Sequence, residues 1–242
     1  LCAKYFKQNY PDLTWAIAGR DKNKLDDINN KFNLNVDSLV ADGDNLEALR
    51  VMAGQAKVIL STAGPFARYS DLLVQACVEQ GTHYTDITGE NHWVRTLIDK
   101  HHENASLKGV RIVPSCGYDS IPSDIGTFFA VSQFNKPVKR VELFQEMQGG
   151  ASGGTIETAF SMGKLSKEMR DPFLLNPENS STEEQRKYSK DMMRIEKIEE
   201  LDGWSGMFVM AAGNTRVVRR TAALMEQNQN SYGANFTFGE YG

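Results

Sequence analysis

The chain has 242 residues, of which 40% are hydrophobic and 24% charged, the composition of an ordinary globular protein. Such a composition excludes an intrinsically disordered or fibrous protein. The formal net charge is −4, from 31 acidic and 27 basic residues that are scattered along the chain. Because no broad positive face is available to neutralise a phosphate backbone, we predict no nucleic-acid partner.

The sequence also predicts no membrane span and no metal site. No window approaches the roughly 18 consecutive apolar residues of a membrane helix, and the first residues lack the pattern of a signal peptide. Cys2, Cys77 and Cys116 are widely spaced, and the four histidines lack metal-ligand spacing, which favours a reducing compartment. The predicted location is the cytoplasm, with a peripheral position on a lipid droplet or organelle membrane as the alternative; the oligomeric state is left open.

The first half of the chain alternates short apolar runs with longer helical patterns, which is typical of βα units around a mostly parallel sheet. A helix over Leu1–Asn9 has no capping residue before it, so we expect that element to begin upstream. The strand runs are unbroken rather than alternating, as expected when both faces are covered. The predicted strands are 15–18, 38–41, 57–61, 83–86 and 110–114, and the predicted helices are 22–32, 45–52, 71–80, 92–107 and 121–131.

The pattern changes after Asn135, where we predict a second domain. Residues 138–147 alternate apolar and charged side chains, which indicates an antiparallel strand with one solvated face. The expected domains are a nucleotide-binding domain at 1–135 and an α+β substrate domain at 136–242. The later predicted elements are a glycine-rich loop at 149–154, a helix from about Thr155, a long loop at 171–185, a charged surface helix at 183–200, and a strand, a helix around 214–226 and an aromatic strand at 235–238 within the last stretch.

The first candidate site follows the strand that ends in Gly19-Arg20. In a dinucleotide-binding sheet the tip of the second strand faces the adenine ribose, where an arginine accommodates the extra phosphate of NADP. Arg20, together with Lys24, therefore predicts NADP rather than NAD. The alternative interpretation is a solvated turn in which Asp21 starts the next helix.

The second candidate site is the loop of small residues after the strand at 57–61. Ligands bind outside the carboxyl ends of strands in open α/β sheets, and small residues let the backbone approach a nucleotide closely. The alternative is a tight strand-to-helix turn in which Pro65 fixes φ. Asp42 ends the preceding strand and either contacts the adenine side or caps the following helix. The predicted cofactor-binding residues of the loop are Ser61, Ala63, Gly64, Pro65 and Phe66.

The third candidate site comprises two polar loops, at 81–90 and 113–126, where a substrate would meet the nicotinamide. Their hydroxyl and carboxyl groups are suited to orienting a substrate or relaying a proton. Alternatively, the hydroxyl and carboxyl groups just before the helix at 121–131 only cap that helix, and Asp124 in its first turn is structural. The acidic and phenolic candidates are Tyr84, Asp86, Glu90, Asp119 and Asp124.

Together these motifs resemble those of the saccharopine dehydrogenase-like oxidoreductases, a family that includes the trans-acting enoyl reductases of bacterial lipid pathways. The likeness continues to residue 221, so it extends over nearly the whole chain. The residues that carry it are 18–20, 24–25, 61–66, 84–90, 117–126, 152–155, 171–177 and 217–221.

The resemblance implies an α/β fold with a Rossmann-like, mostly parallel sheet, NADP as cofactor, and hydride transfer to a C=C, C=O or C=N bond. A small molecule or an acyl group is the implied substrate, with enoyl reduction in lipid metabolism as one form. Family members carry a first strand and a glycine-rich phosphate-binding loop ahead of the helix that Leu1 enters, and this sequence shows neither. The resemblance also implies that the loop of Asp119 and Asp124 borders the nicotinamide and substrate. We predict Asp119 and Tyr84 as catalytic residues and Gly117 as a cofactor-binding residue. The alternative is a non-catalytic nucleotide-binding or lipid-associated scaffold.

Two other features receive structural interpretations. Arg216, Arg219 and Arg220 follow a helical pattern that predicts a solvated face rather than an anion site. Cys116 has no adjacent base in the sequence and is predicted to be a small buried side chain, not a nucleophile.

Overall fold

A computed structural model describes residues 1–146, 171–192, 194–199 and 202–242 of the chain. The helices are α1 (Cys2–Asn9), α2 (Lys22–Lys31), α3 (Leu46–Ala53), α4 (Phe66–Tyr69), α5 (Asp71–Gln80), α6 (Asn91–Leu107), α7 (Ile121–Ser132), α8 (Glu183–Tyr188) and α9 (Ala211–Gln227). The strands are β1 (Ala16–Gly19), β2 (Asp37–Val40), β3 (Val58–Ser61), β4 (His83–Asp86), β5 (Ile112–Val113), β6 (Arg140–Phe144), β7 (Glu196–Ile198), β8 (Gly203–Ser205) and β9 (Thr237–Tyr241).

The predicted α/β fold class is confirmed. β1 and β2 are parallel, β6 and β9 are parallel, and β3, β4 and β5 form a three-stranded sheet in that order. The alternation of strands and helices through α7 is that of a Rossmann-like nucleotide-binding fold. The predicted ranges of β4 and α5 are reproduced to the residue.

Two compact units are formed by the residues that contact one another. The first unit consists of Leu1–Ala63, Arg68–Tyr84 and His101–Ile112, and the second of Gly64–Ala67, Thr85–Lys100 and Val113–Gly242. A division of the chain at residue 135 into a cofactor domain and a substrate domain stays a prediction.

Local signals in the sequence set the helix ends of the first unit. Asp21 caps α2, since its side chain accepts a hydrogen bond from the backbone N–H of Lys24 at 3.2 Å. Asn45 caps α3 in the same way. Gly81 ends α5 in the left-handed region with φ 78°, a conformation that glycine adopts without steric cost. α3 and α5 then pack together through apolar side chains at helical spacing, which are Leu49, Met52, Ala53, Val74, Ala76, Cys77 and Val78.

The core of the second unit lies among α7, α9, β6 and β9. Val218 of α9 is fully buried in a cluster with Tyr232, Phe236 and Phe238. Partly buried apolar residues of α7 and β6 pack against this cluster, namely Val131, Val141 and Leu143. α9 contacts both α7 and β9, so it supports the element that follows the loop at 113–120.

The predicted antiparallel strand at 138–147 is wrong in its direction. β6 alternates exposed Arg140 and Glu142 with half-buried Val141 and Leu143, but it pairs with β9 in parallel. Alternation of side chains reports which face is buried and says nothing about the direction of the partner strand. The intervening chain, which includes α9, provides the crossover that a parallel pair requires.

The predicted charged helix at 183–200 is also wrong beyond its first turns. Thr182 and Gln185 form a capping box at the start of α8, but the helix ends at Tyr188. β7 and β8 follow as an antiparallel pair, and Asp202, just before β8, has a φ of 46°. Charged residues are compatible with any exposed backbone, so their density does not specify a helix.

Smaller differences concern the C-terminal part and α4. The strand expected near the start of the stretch 208–238 is not formed, since residues 209–210 are a turn and Met207 makes a single bridge to Tyr241. The helix expected at 214–226 is α9, and the aromatic strand is β9. α4, which follows the loop at 61–65, has no counterpart among the predicted elements. The glycine-rich loop at 149–154 and the helix from Thr155 lie outside the described residues. Among the residues that the structure describes, no helix is both long and apolar enough for a membrane span.

Candidate functional site

The predicted NADP-selective residues lie at the carboxyl end of the parallel β1–β2 pair. Gly19 of β1 is in register with Val40 of β2, and the backbone N–H of Ala41 donates to the carbonyl of Gly19 at 3.0 Å. Arg20 and Asp42 each come directly after these positions, so both lie at the same edge of the pair. The β1–β2 geometry therefore matches the adenine-ribose end of a dinucleotide site.

The charges at this edge suit an anion. Arg20 and Lys24 are exposed, and neither forms an ion pair within the described part of the chain. Asp21, the carboxylate nearest in sequence, is held at the N-cap of α2, as the alternative interpretation predicted. The N-terminus of α2 adds a partial positive charge. Two free cations beside a helix N-terminus fit the 2′-phosphate of NADP.

Asp42 does not cap the helix that follows it. Its Oδ1 accepts a hydrogen bond from the backbone N–H of Asp44 at 3.1 Å, while Asn45 is the N-cap of α3. The cap alternative for Asp42 is therefore wrong, because the helix begins three residues later. Its side chain is exposed at the strand end, and its contact with adenine stays a prediction.

The loop after β3 begins in the first unit with Ser61, Thr62 and Ala63. Ser61 is buried, and its Oγ accepts a hydrogen bond from the backbone N–H of Ala63 at 3.4 Å. Thr62 and Ala63 are exposed at the strand end. The loop thus presents small side chains and backbone to solvent, as a nucleotide wall requires.

The loop continues in the second unit, where Glu90 fixes it. Both carboxylate oxygens of Glu90 accept backbone hydrogen bonds, from Phe66 at 2.7 Å and from Ala67 at 3.1 Å. The Gly64–Pro65 peptide bond is cis. Phe66 is buried and stacks on Trp93 with ring centroids 6.2 Å apart. Phe66 is therefore a packing anchor of the loop, and Gly64 is its exposed part.

Asp86 also holds backbone rather than facing a ligand. Its side chain is fully buried, and Oδ1 accepts hydrogen bonds from the backbone N–H groups of Thr88 at 2.9 Å and Ser115 at 3.0 Å. Its carbonyl accepts a third, from Cys116 at 2.7 Å. Asp86 thereby joins the two polar loops at the ends of β4 and β5. The role of Asp86 and Glu90 is to shape these loops.

Asp119 is the carboxyl group of the second unit that lies between two glycines. A Cβ atom added at Gly117 would stand 2.6 Å from its Oδ1, and one added at Gly89 would stand 3.7 Å from its Oδ2. The same Cβ at Gly117 would meet Ile87 at 3.2 Å. A side chain at 117 would therefore push the Asp119 carboxyl aside and require a small shift of Ile87. Ile87 and Tyr118, both exposed, flank the carboxyl.

The environment of Asp119 favours its protonated form. Burial raises the pKa of the carboxyl above its ordinary value, and the backbone N–H groups of Asp119 and Ser120 partly oppose that rise. The side chain is only half-buried, so a ligand has access to it. A carboxyl that is accessible and retains its proton more readily than usual is suited to general acid chemistry.

Residues 1–113 match the family described as the saccharopine dehydrogenase NADP binding domain. The match contains β1–β5 and thus every predicted cofactor-binding residue except Gly117. The description of the matched family names NADP, the cofactor predicted from Arg20, and the contact of Arg20 with NADP stays a prediction.

Similarity to curated proteins extends beyond the NADP-binding domain. The chain is 34% identical over 249 residues to a trans-acting enoyl reductase of Mycobacterium leprae (strain TN), covering 93% of this chain and 58% of that protein. It is 33% identical over 259 residues to a trans-acting enoyl reductase of Mycobacterium ulcerans (strain Agy99), covering 99% of this chain and 61% of that protein. The chain therefore spans about three fifths of the length of these relatives.

A solved structure is also similar to the chain. It is an apo, histidine-tagged saccharopine dehydrogenase (L-Glu forming) from Saccharomyces cerevisiae, with 12% sequence identity and a TM-score of 0.49. The similarity covers 59% of this chain and 31% of that one.

Tyr84, the second catalytic candidate, lies in β4 within the first unit. It is 1% exposed and is among the largest fully buried side chains. The structure thus places Tyr84 in the core of the first unit and Asp119 in a half-buried loop. A catalytic role for Tyr84 stays a prediction.

The arginines of α9 are not on a solvated face. Arg216 and Arg219 are each 4% exposed. Arg216 forms a two-pronged ion pair with Asp191, at 2.6 and 2.7 Å, and Arg219 donates to the carbonyls of Pro172 and Phe238. Arg220 donates to a further carbonyl, that of Leu175. The prediction is wrong because these carbonyls are brought to α9 by tertiary structure, which helix periodicity does not show.

The remaining candidates are simple to place. Cys116 is exposed, so the prediction of a buried side chain is wrong; it follows Ser115, whose φ is 62°. Within the described ranges, no group of three or more histidine, cysteine or acidic residues is arranged to hold a metal ion.

The sequence did not single out Asn214 and Glu240, which are buried near the Asp119 loop. A polar residue near the start of an otherwise amphipathic helix was the available signal for Asn214.

Proposed function

We propose that the protein is an NADP-dependent oxidoreductase that reduces a carbon–carbon double bond next to a carbonyl, as in an enoyl group. The matched NADP-binding domain supports the cofactor. The name that the relatives share, trans-acting enoyl reductase, supports the reaction. The single observation of this structure that carries the proposal is the Asp119 carboxyl, which is half-buried, accessible and held between Gly89 and Gly117.

The cofactor part of the proposal rests on the NADP-binding domain. Arg20 and Lys24 hold the 2′-phosphate by charge, and Asp42 lies beside them at the adenine end. The backbone of Ala63 and Gly64, with Ser61 and Pro65, forms a wall along the nucleotide. Glu90 keeps that wall in place through the backbone N–H groups of Phe66 and Ala67.

The substrate part of the proposal assigns the proton to Asp119. Reduction of an enoyl C=C bond adds a hydride to one carbon and a proton to the other. Bound NADPH supplies the hydride. Asp119, whose pKa is raised by burial, donates the proton to the α-carbon and is left as a carboxylate. The backbone N–H groups of Asp119 and Ser120 stabilise that carboxylate, and Gly117 keeps space for the substrate beside it.

The experiment is a binding titration followed by turnover on the same protein. NADPH and NADH are titrated first, and NADPH is expected to bind more tightly. Short and long 2-enoyl thioesters are then added, and loss of nicotinamide absorbance is followed. Turnover that depends on the double bond supports the proposal, with the saturated thioester as the matched control. Tight NADPH binding without turnover of any enoyl thioester would favour the non-catalytic scaffold instead.

A further inference from the structure

A chain of buried hydrogen bonds connects the Asp119 loop to β9. The hydroxyl of Ser120 donates to Oδ1 of Asn214 at 3.0 Å, and Nδ2 of Asn214 donates to Oε1 of Glu240 at 3.1 Å. The three residues are 3%, 1% and 3% exposed, in that order. An unpaired buried polar group is costly, so loss of one of these hydrogen bonds would leave its neighbour in the chain without a partner.

The chemistry of the groups fixes the direction of each bond. Three donors converge on Oε1 of Glu240, from Asn214, from Ser123 at 2.8 Å and from Gln145 at 3.0 Å, so that oxygen is an acceptor. The Asn214 amide must then present Nδ2 to Glu240, which leaves Oδ1 for Ser120. An oxygen acceptor at that position obliges the Ser120 hydroxyl to donate. The side chain of Ser120 therefore has one preferred orientation.

Ser120 passes this constraint to its neighbour. The carbonyl of Gly117 accepts hydrogen bonds from the backbone N–H groups of Ser120 at 3.3 Å and Ile121 at 3.0 Å, which closes the turn that contains Asp119. The Asp119 carboxyl lies against Gly117 in this turn, since a Cβ there would stand 2.6 Å from its Oδ1. A side chain tied to Asn214 and a backbone N–H that closes the turn around Asp119 thus belong to one residue.

We propose that Asn214 is a positioning residue, which holds the Asp119 carboxyl at its place through Ser120 while Glu240 anchors Asn214. The inference rests on the proposed role of Asp119 in proton donation. β9 is a firm anchor, since it pairs with β6 over five residue pairs, and α9 packs against it. The two elements that fix the acid are therefore the C-terminal helix and strand of the second unit.

If the network only stabilises the fold, replacing either of its two serines should leave Asp119 unaffected. Comparing the two serine variants therefore separates a positioning role from a purely structural one. Ser120 and Ser123 lie at the start of α7, are 3% and 0% exposed, and both donate into the same network. Only Ser120 adjoins Asp119. Ser120→Ala and Ser123→Ala delete the same atom from similar surroundings, so they form a matched pair.

The primary readout is the titration of Asp119, followed by NMR on protein with isotope-labelled aspartate carboxyl groups. In Ser120→Ala the titration of Asp119 is expected to move to higher pH, because the turn is no longer tied to Asn214 and the backbone of Ser120, which lowers the pKa of Asp119, is less firmly placed. Ser123→Ala is expected to leave the titration unchanged while lowering thermal stability by a similar amount. Asn214→Ala should behave as Ser120→Ala, and Ser120→Thr, which restores the hydroxyl, should recover the wild-type titration.

Turnover of an enoyl thioester gives the second readout. Ser120→Ala is expected to lower kcat about tenfold or more with KM for NADPH unchanged, whereas Ser123→Ala keeps the wild-type kcat. Equal titrations of Asp119 in the two serine variants would overturn the positioning role, even if the protein is an active reductase. Because the titration needs no substrate, a shifted Asp119 in a protein without turnover supports the positioning role and contradicts the proposed function. If Asn214→Ala fails to fold, the comparison of the Asp119 titration in Ser120→Ala and Ser123→Ala decides whether the positioning role holds.

Discussion

Asp124→Asn is expected to stabilise the protein above neutral pH. Asp124 lies in the first turn of α7 and is mostly buried, with Oδ2 accepting a hydrogen bond from the Thr221 hydroxyl at 3.0 Å. Its Oδ1 is buried without a hydrogen-bond partner among the described residues. Burial raises the pKa of Asp124 from 3.8 to about 6, and the bond from Thr221 only partly opposes the rise. Asparagine keeps an acceptor for Thr221 and removes the buried charge.

Proton linkage gives the sign and size of the effect of Asp124 on the free energy of unfolding. The folded state holds the Asp124 proton more tightly than the unfolded state, so the free energy of unfolding falls as pH rises from about 4 to about 6. A rise of about two pKa units corresponds to about 3 kcal/mol lost at neutral pH. The helix dipole favours the ionised form by only about 0.3–1 kcal/mol at such a position, so desolvation outweighs it.

Urea denaturation of wild type and Asp124→Asn tests this. Near pH 8 the variant should exceed the wild type by up to about 3 kcal/mol in free energy of unfolding, and near pH 4 the two should converge. Ser123→Ala is a suitable control, because it lies beside Asp124 but has no titrating group. A variant that is less stable than wild type at both pH values would show that Asp124 acts as an ionised helix-terminus group, and the desolvation reasoning would be refuted.

Three further predictions concern the cofactor and substrate loops. Arg20→Asp should narrow or invert the preference for NADPH over NADH, since a charge-assisted contact to phosphate is worth roughly 1.5–3 kcal/mol, about ten- to a hundredfold in Kd; an unchanged ratio of the two Kd values would count against Arg20. Gly117→Ala should lower turnover with NADPH binding retained, because its Cβ would stand 2.6 Å from Oδ1 of Asp119; a wild-type kcat would show that Asp119 has freedom to move. Glu90→Ala leaves the backbone N–H groups of Phe66 and Ala67 without their acceptor, so we expect a loss of about 2 kcal/mol in stability and weaker NADPH binding; a thermal melt identical to wild type would contradict the role given to Glu90.

The sequence was sufficient for the parts of the fold that depend on local patterns. β4 and α5 were predicted to the residue because Gly81, a local signal in the left-handed region, ends the helix just before the strand. The direction of β6 was not predictable, since it depends on β9, almost a hundred residues later. The antiparallel pair of β7 and β8 was missed because the charges of 183–200 suit exposed strands as well as a helix.

The candidate site also has features that local sequence predicts and features that depend on distant residues. Position after a strand was enough to locate the loops of Arg20, Ser61 and Asp119. It was not enough to separate Asp86 and Glu90, whose carboxylates hold backbone N–H groups, from Asp119, which lies open between glycines. That difference depends on burial and on partners far along the chain. The buried arginines of α9 were misjudged for the same reason.

In the proposed reaction, bound NADPH and the Asp119 carboxyl act together to reduce a double bond. The most direct test is single-turnover oxidation of bound NADPH by a 2-enoyl thioester, measured for wild type and Asp119→Asn at matched saturation with NADPH. We expect equal NADPH affinity and a rate lower by about a hundredfold or more in the variant, because the general acid is lost. A wild-type rate in a folded Asp119→Asn protein would contradict the proposed role of Asp119.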